Sequence, residues 1–123
     1  MRRKKILIVD DEKDVLDVLE KRLSHAGYEV IKAENGKDAL AMAKSQRPDL
    51  ILLDIVMPEI DGAQTADILK SDPATKDIPI VFLTCLVTKE EEQSSDNVIA
   101  GRHFIAKPYN PKELLEVVQK HIK

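Results

Sequence analysis

Asp10, Asp11 and Asp54 are the side chains of this sequence best placed to do chemistry, because each stands where an aliphatic run stops. Ile6-Leu7-Ile8-Val9 runs directly into Asp10-Asp11, and Leu50-Ile51-Leu52-Leu53 runs into Asp54. Asp is depleted in strands and almost never buried without a partner, so its repeated position at a strand exit needs a physical cause. If the two strands are neighbours, three carboxylates converge. One pair of like charges about 4 Å apart costs ~4 kcal/mol at an effective dielectric of about 20. A cation or unusual protonation must relieve that repulsion.

Two further strand exits carry polar groups. Ile80-Val81-Phe82-Leu83 ends in Thr84, and Phe104-Ile105-Ala106 ends in Lys107-Pro108. Three carboxylates, a hydroxyl and an ammonium suit a hard cation together with a phosphoryl group. Mg²⁺, with Mn²⁺ as a substitute, takes oxygen ligands in near-octahedral geometry, usually carboxylates, waters and phosphate oxygens. On that chemistry Asp54 is the nucleophile toward phosphorus, Lys107 neutralises a phosphoryl oxygen and Thr84 donates to another. Taken singly, each residue has a plainer reading. Asp11 suits a helix cap, Asp54 a turn before Met57-Pro58, Thr84 a strand end and Lys107 a solvated surface. Their coincidence on one edge favours the chemistry.

The elements that must position them follow from hydrophobic spacing. Strand-like runs fall at about 5–9, 28–33, 49–53, 79–84 and 103–106, separated by segments of helical period. Val15, Leu16, Leu19, Leu23 and Ala26 form one stripe closed by Gly27. Leu40 and Ala43 mark a second helix after Asn35-Gly36. Ala63, Ala66 and Leu69 point a third inward, and Leu114, Leu115, Val118 and Ile122 a last one. Asn110, Pro111 and Glu113 give that last helix a start signal. The stretch 71–79 reads as a loop. From Thr88 to Ala100 a capping box at Thr88 and Glu91 precedes a polar stretch, which predicts a weakly packed helix.

Such alternation predicts a doubly wound α/β domain over residues 1–123: a five-stranded parallel sheet of order 2-1-3-4-5, flavodoxin-like, with helices on both faces. In that order the first and third strands meet at the topological switch point, where ligands bind beyond the strands' carboxyl ends.

Composition narrows the function. The chain has 123 residues, net charge −3, 43% hydrophobic and 3% aromatic residues, so one aliphatic-cored domain is expected. The basic run Arg2-Arg3-Lys4-Lys5 lacks interleaved aromatics and reads as a strand flank, so no direct nucleic-acid partner is expected. No segment has the length of a membrane span or signal peptide, and the single cysteine, Cys85, suits a reducing, cytoplasmic setting.

The runs Ile6 to Glu12, Leu53 to Gly62, Phe82-Leu83-Thr84 and Ile105-Ala106-Lys107-Pro108 resemble, in order and spacing, the receiver domain of two-component response regulators. The resemblance implies that Asp54 accepts a phosphoryl group from the phosphohistidine of a sensor histidine kinase or phosphotransfer protein. It implies that Asp10, Asp11 and Asp54 hold Mg²⁺ with the backbone carbonyl of Val56, that Thr84 and Phe104 form the switch, that Lys107 pairs with the phosphoryl group and that Pro108 is cis. Signalling through an unidentified downstream protein is the expected output, from a monomer or weak homodimer. If 123 residues are the native length, the protein is a stand-alone receiver and not primarily an enzyme.

The chain departs from the family at several points. Phe104 lacks the hydroxyl of the tyrosine common there, Cys85 follows Thr84 where a smaller residue is frequent, and Gly101-Arg102-His103 replaces an often acidic stretch. Val56 and Leu86, each two positions after a key residue, are apolar and cannot orient a hydrolytic water, which predicts slow self-dephosphorylation. His25, His103 and His121 are assigned no catalytic role.

The main alternative is an aspartate-nucleophile, Mg²⁺-dependent phosphatase or phosphotransferase, which shares the strand-end Asp, hydroxyl and lysine. Such enzymes carry a second acid two residues after the nucleophile, where this chain has Val56. A flavodoxin-like electron carrier needs a neutral, hydroxyl-rich first loop, and Asp10-Asp11-Glu12 would repel a flavin phosphate.

Overall fold

The computed structural model describes residues 3–54, 61–84, 98–99, 102–106 and 111–122, with side chains throughout except at 84, 98–99 and 102–106. In chain order the elements are β1 (Lys5–Val9), α1 (Lys13–His25), β2 (Glu29–Ala33), α2 (Gly36–Gln46), β3 (Leu50–Asp54), α3 (Gly62–Ser71), β4 (Ile80–Thr84), β5 (Val98–Ile99), β6 (Arg102–Ala106) and α4 (Pro111–His121). They form one sheet of order β2-β1-β3-β4-β6-β5.

The first five strands in that order pair in parallel and reproduce the expected 2-1-3-4-5 topology. The sixth is a difference. Val98 and Ile99 do not continue the expected helix but pair antiparallel with His103 and Arg102 at the sheet edge. Two adjacent β-branched residues favour the extended conformation. The capping box at Thr88 and Glu91 lies outside the described residues, as does Asn110 before α4.

β1 and β3 are apolar at successive positions because both sheet faces are covered. Ile6, Leu7 and Ile8 are wholly buried, as are Leu50 to Leu53. Alternation sends Leu7, Val9, Ile51 and Leu53 to a core shared with Ala39, Ala43, Ala66 and Leu69 of α2 and α3. Ile6, Ile8, Leu50 and Leu52 point the other way, onto Leu16, Leu19 and Leu23 of α1 and Leu114 and Val118 of α4. Each fully buried leucine stabilises the fold by ~1.5–3 kcal/mol before entropy is counted. Ala26 and Ala63, expected inward, are exposed. Ala26 is the C-cap beyond the last turn of α1, whereas in α3 the buried positions are Gly62, Thr65, Ala66 and Leu69.

Local signals fix the helix ends. Gly27 takes φ +97° after α1, which glycine accepts without a Cβ clash. The Asn35 side chain accepts the Asp38 N–H at 2.7 Å to start α2. Asp61 and Gln64 form a reciprocal capping box on α3, with bonds of 2.8 and 3.1 Å. The loop 71–79 is braced by its own side chains. Thr75, buried, donates to the Leu69 carbonyl at 2.6 Å, and Lys70 Nζ donates to the carbonyls of Lys76 and Ile78. That bracing feeds β4 into the sheet beside β3.

Candidate functional site

The β1/β3 register sets Val9 opposite Leu53, so the next residue of each strand, Asp10 and Asp54, leaves the sheet on the same edge. One ligand oxygen from each of Asp10, Asp11 and Asp54 lies within 4.8 Å of the other two. Asp10 is 1% exposed and Asp54 7%, whereas Asp11 is exposed. The three acids therefore do converge, two in the protein and one at the mouth.

Asp10 is held by main chain on both sides. Its N–H donates to the Ala33 carbonyl at 3.2 Å, tying it to the end of β2. Its Oδ1 accepts the Glu12 N–H at 2.9 Å, closing a tight turn before α1. Asp11 does not cap that helix, since the N-cap is Glu12, whose side chain makes no cap bond. The plainer reading of Asp11 thus loses its geometry.

Clustered hard oxygens, two of them on buried side chains, fit a divalent cation of the Mg²⁺ kind. Nitrogen- and sulfur-seeking metals find no His or Cys in the group.

Of the other residues singled out, Thr84 ends β4 and Phe104 sits in β6, with Phe82 paired to Phe104 and Thr84 to Ala106. These backbone positions put Thr84 on the same sheet edge as Asp54, because Asp54 pairs with Leu83 one residue before it. Val56, Leu86, Lys107 and Pro108 lie outside the described residues. Sequence reasoning missed the Glu12 amide and the Ala33 carbonyl, since main-chain groups leave no residue-type signal. An Asp two positions before a helix N-cap was the available hint.

Comparison with known proteins agrees with this geometry. Residues 6–119 match the response regulator receiver domain. The phosphate regulon transcriptional regulatory protein PhoB of Pseudomonas aeruginosa is 44% identical over 91% of this chain and 48% of its own length. The probable transcriptional regulator ycf27 of Porphyridium aerugineum is 38% identical over 93% of this chain and 46% of its own. The chain thus spans about half the length of the curated relatives it matches. Among solved structures, the chemotaxis response regulator CheY4 of Vibrio cholerae superposes with a TM-score of 0.84 at 32% identity, covering 98% of this chain and 100% of that one. The receiver domain of the sensor histidine kinase PA1611 of P. aeruginosa, solved with a magnesium ion coordinated in its active site cleft, gives 0.83 at 26% identity and covers 98% of each chain.

The chain belongs to the response regulator receiver family, the phosphorylation-dependent signalling modules of two-component systems. Among the described residues no helix is long and apolar enough to cross a membrane.

Proposed function

We propose that this chain is a phosphorylation switch whose acceptor is Asp54. The observation that supports it best is the convergence of Asp10, Asp11 and Asp54 within 4.8 Å at the strand ends, with Asp54 almost buried and Asp11 open to solvent. A phosphoryl donor approaching such a cluster meets like charge, so a cation is required before transfer. Asp10, Asp11, Asp54 and the Val56 carbonyl would hold Mg²⁺. Bound there, the ion supplies charge neutralisation between carboxylates and phosphoryl oxygens.

The donor is a phosphohistidine of a sensor histidine kinase or phosphotransfer protein. An Asp54 oxygen forms a bond to phosphorus as the nitrogen–phosphorus bond breaks. The electron pair stays on the imidazole nitrogen, which takes up a proton. Lys107 pairs with the transferred group and Thr84 moves to donate to it. The product carries a charge of about −1.5 to −2 where one carboxylate stood. That change biases a two-state surface. Phe104, without a hydroxyl, follows through packing alone, and a downstream protein in the cytoplasm reads the result. No separate substrate is turned over.

Intact-mass measurement after incubation with Mg²⁺ and a small acyl-phosphate donor tests the assignment. The wild type should gain one phosphoryl group and Asp54→Asn none. Equal labelling of the two would overturn it.

A further inference from the structure

We propose that the main-chain amide of Glu12 is a positioning group for the cation site, acting through Asp10. The inference rests on the reading that Asp10, Asp11 and Asp54 hold a divalent cation. A carboxylate 1% exposed must satisfy its lone pairs inside the protein. One partner of Asp10 is this amide, which donates to Oδ1 at 2.9 Å. With the Asp10 N–H fixed on the Ala33 carbonyl at 3.2 Å, the carboxylate cannot rotate without breaking a charge-assisted bond. Its orientation is set before any ion arrives, so less conformational freedom is lost on binding.

Position 12 does a second task at the same time. Its carbonyl accepts the N–H groups of Val15 at 3.1 Å and Leu16 at 3.2 Å, so it begins α1. Leu16 is buried in the core on that side of the sheet. The aim of Asp10 is thereby tied to the seating of α1 through one residue. The Glu12 side chain adds no capping bond, although Ser, Thr, Asp or Asn at an N-cap usually does. What position 12 supplies to the site is therefore its backbone.

The test is Mn²⁺ titration of the full chain, followed by the electron paramagnetic resonance of free Mn²⁺ well below the unfolding temperature. Glu12→Pro deletes the donor, and the observed φ of −99° is within reach of a proline after modest adjustment. Its Mn²⁺ dissociation constant should rise about tenfold, equivalent to ~1.4 kcal/mol. Glu12→Ala keeps the amide and should stay within about twofold of wild type, ~0.4 kcal/mol. A purely structural role would lower the thermal midpoint without moving the dissociation constant. If the proline variant does not fold, replacing the residue 12 amide by an ester linkage deletes the same N–H with the side chain kept. A folded, donor-less variant that binds like wild type overturns the inference, as does an alanine variant that loses as much as the proline. Absence of wild-type binding is a different result, which overturns the cation reading and the inference with it.

Discussion

Lys5 and Asp49 exchange two hydrogen bonds at the start of β1 and β3: the Lys5 N–H donates to Asp49 Oδ2 at 2.8 Å, and the Asp49 N–H donates to the Lys5 carbonyl at 2.7 Å. Five residues further along each strand stand Asp10 and Asp54. The Lys5 ammonium reaches the Gln46 carbonyl at 3.3 Å and Glu29 at 3.6 Å, so the starts of β1, β2 and β3 and the end of α2 are gathered there. Asp49→Ala strands a half-buried N–H and should lower stability by about 1–2 kcal/mol in urea denaturation. Asp49→Asn, which keeps an acceptor, should lose less.

Cation binding to the folded state alone stabilises it by mass action. At ten times its dissociation constant Mg²⁺ should add ~1.4 kcal/mol. For a domain of this length that is a rise of about 4–8 °C in the thermal midpoint, read by calorimetry. Chelation should reverse the rise, and Asp10→Asn should largely abolish it. A midpoint that ignores Mg²⁺ in the wild type counts against the acidic cluster as a cation site.

The phosphorylated form should be long-lived, because Val56 and Leu86 offer no polar group to align a water. Release of phosphate after loading with an acyl-phosphate donor measures this. Returning polar residues at both positions together should shorten the half-life by about tenfold, less than the roughly 10²–10⁴-fold of a fully positioned proton-transfer group, because these residues would only orient the water. A half-life that barely changes would sink the idea.

Arg47 occupies the left-handed region at φ +47°, directly after α2, with its N–H on the Ala43 carbonyl at 3.1 Å. A side chain there brings Cβ too close to the following carbonyl. Arg47→Gly should raise stability by about 0.5–1 kcal/mol, measured as a higher denaturation midpoint at unchanged slope.

Asp72 gives the fold an acid-sensitive joint between α2 and the loop into β4. The Ala74 N–H, donating at 2.9 Å, and then Lys44 Nζ, also at 2.9 Å, hold its carboxyl below the usual carboxylate range. A group lowered on folding contributes stability that is complete above its ordinary value and lost as pH falls through its folded one. Asp72→Asn should therefore reduce stability at neutral pH and converge on the wild type only once the pH has fallen below the ordinary carboxylate range. Parallel curves down to acid would contradict the assignment.

Much of this architecture was legible because apolar runs and helix caps act locally. The runs Ile6 to Val9 and Leu50 to Leu53 announce strands covered on both faces, and Gly27 and Asn35 mark helix ends through their own backbone or side-chain chemistry. The acidic site was legible for the same reason, since an Asp directly after a buried run carries its charge to the rim of the core, where it needs a partner. Val98 and Ile99 were misread because two residues carry no period, and their pairing with Arg102 and His103 is a tertiary fact. Ala26 and Ala63 were misassigned because alanine tolerates either side of a helix. The brackets on Asp10 and Lys5 escaped notice because they are largely main-chain bonds, which any residue but proline supplies.

The sheet keeps two packing problems apart. Leu53 belongs to the α2 and α3 side and Leu52 to the α1 and α4 side, and Asp54 comes next along the same strand. Leu69 packs in one of these cores and is no member of the other, so a change there is expected to be met first on its own side of the sheet. β1, β3 and β4 each send side chains to both cores, and β3 is the one of them that ends in Asp54. If Asp54 is modified as proposed, a displacement at that end of β3 would press on each half-interior at once and would be readable from two opposite sides of the molecule.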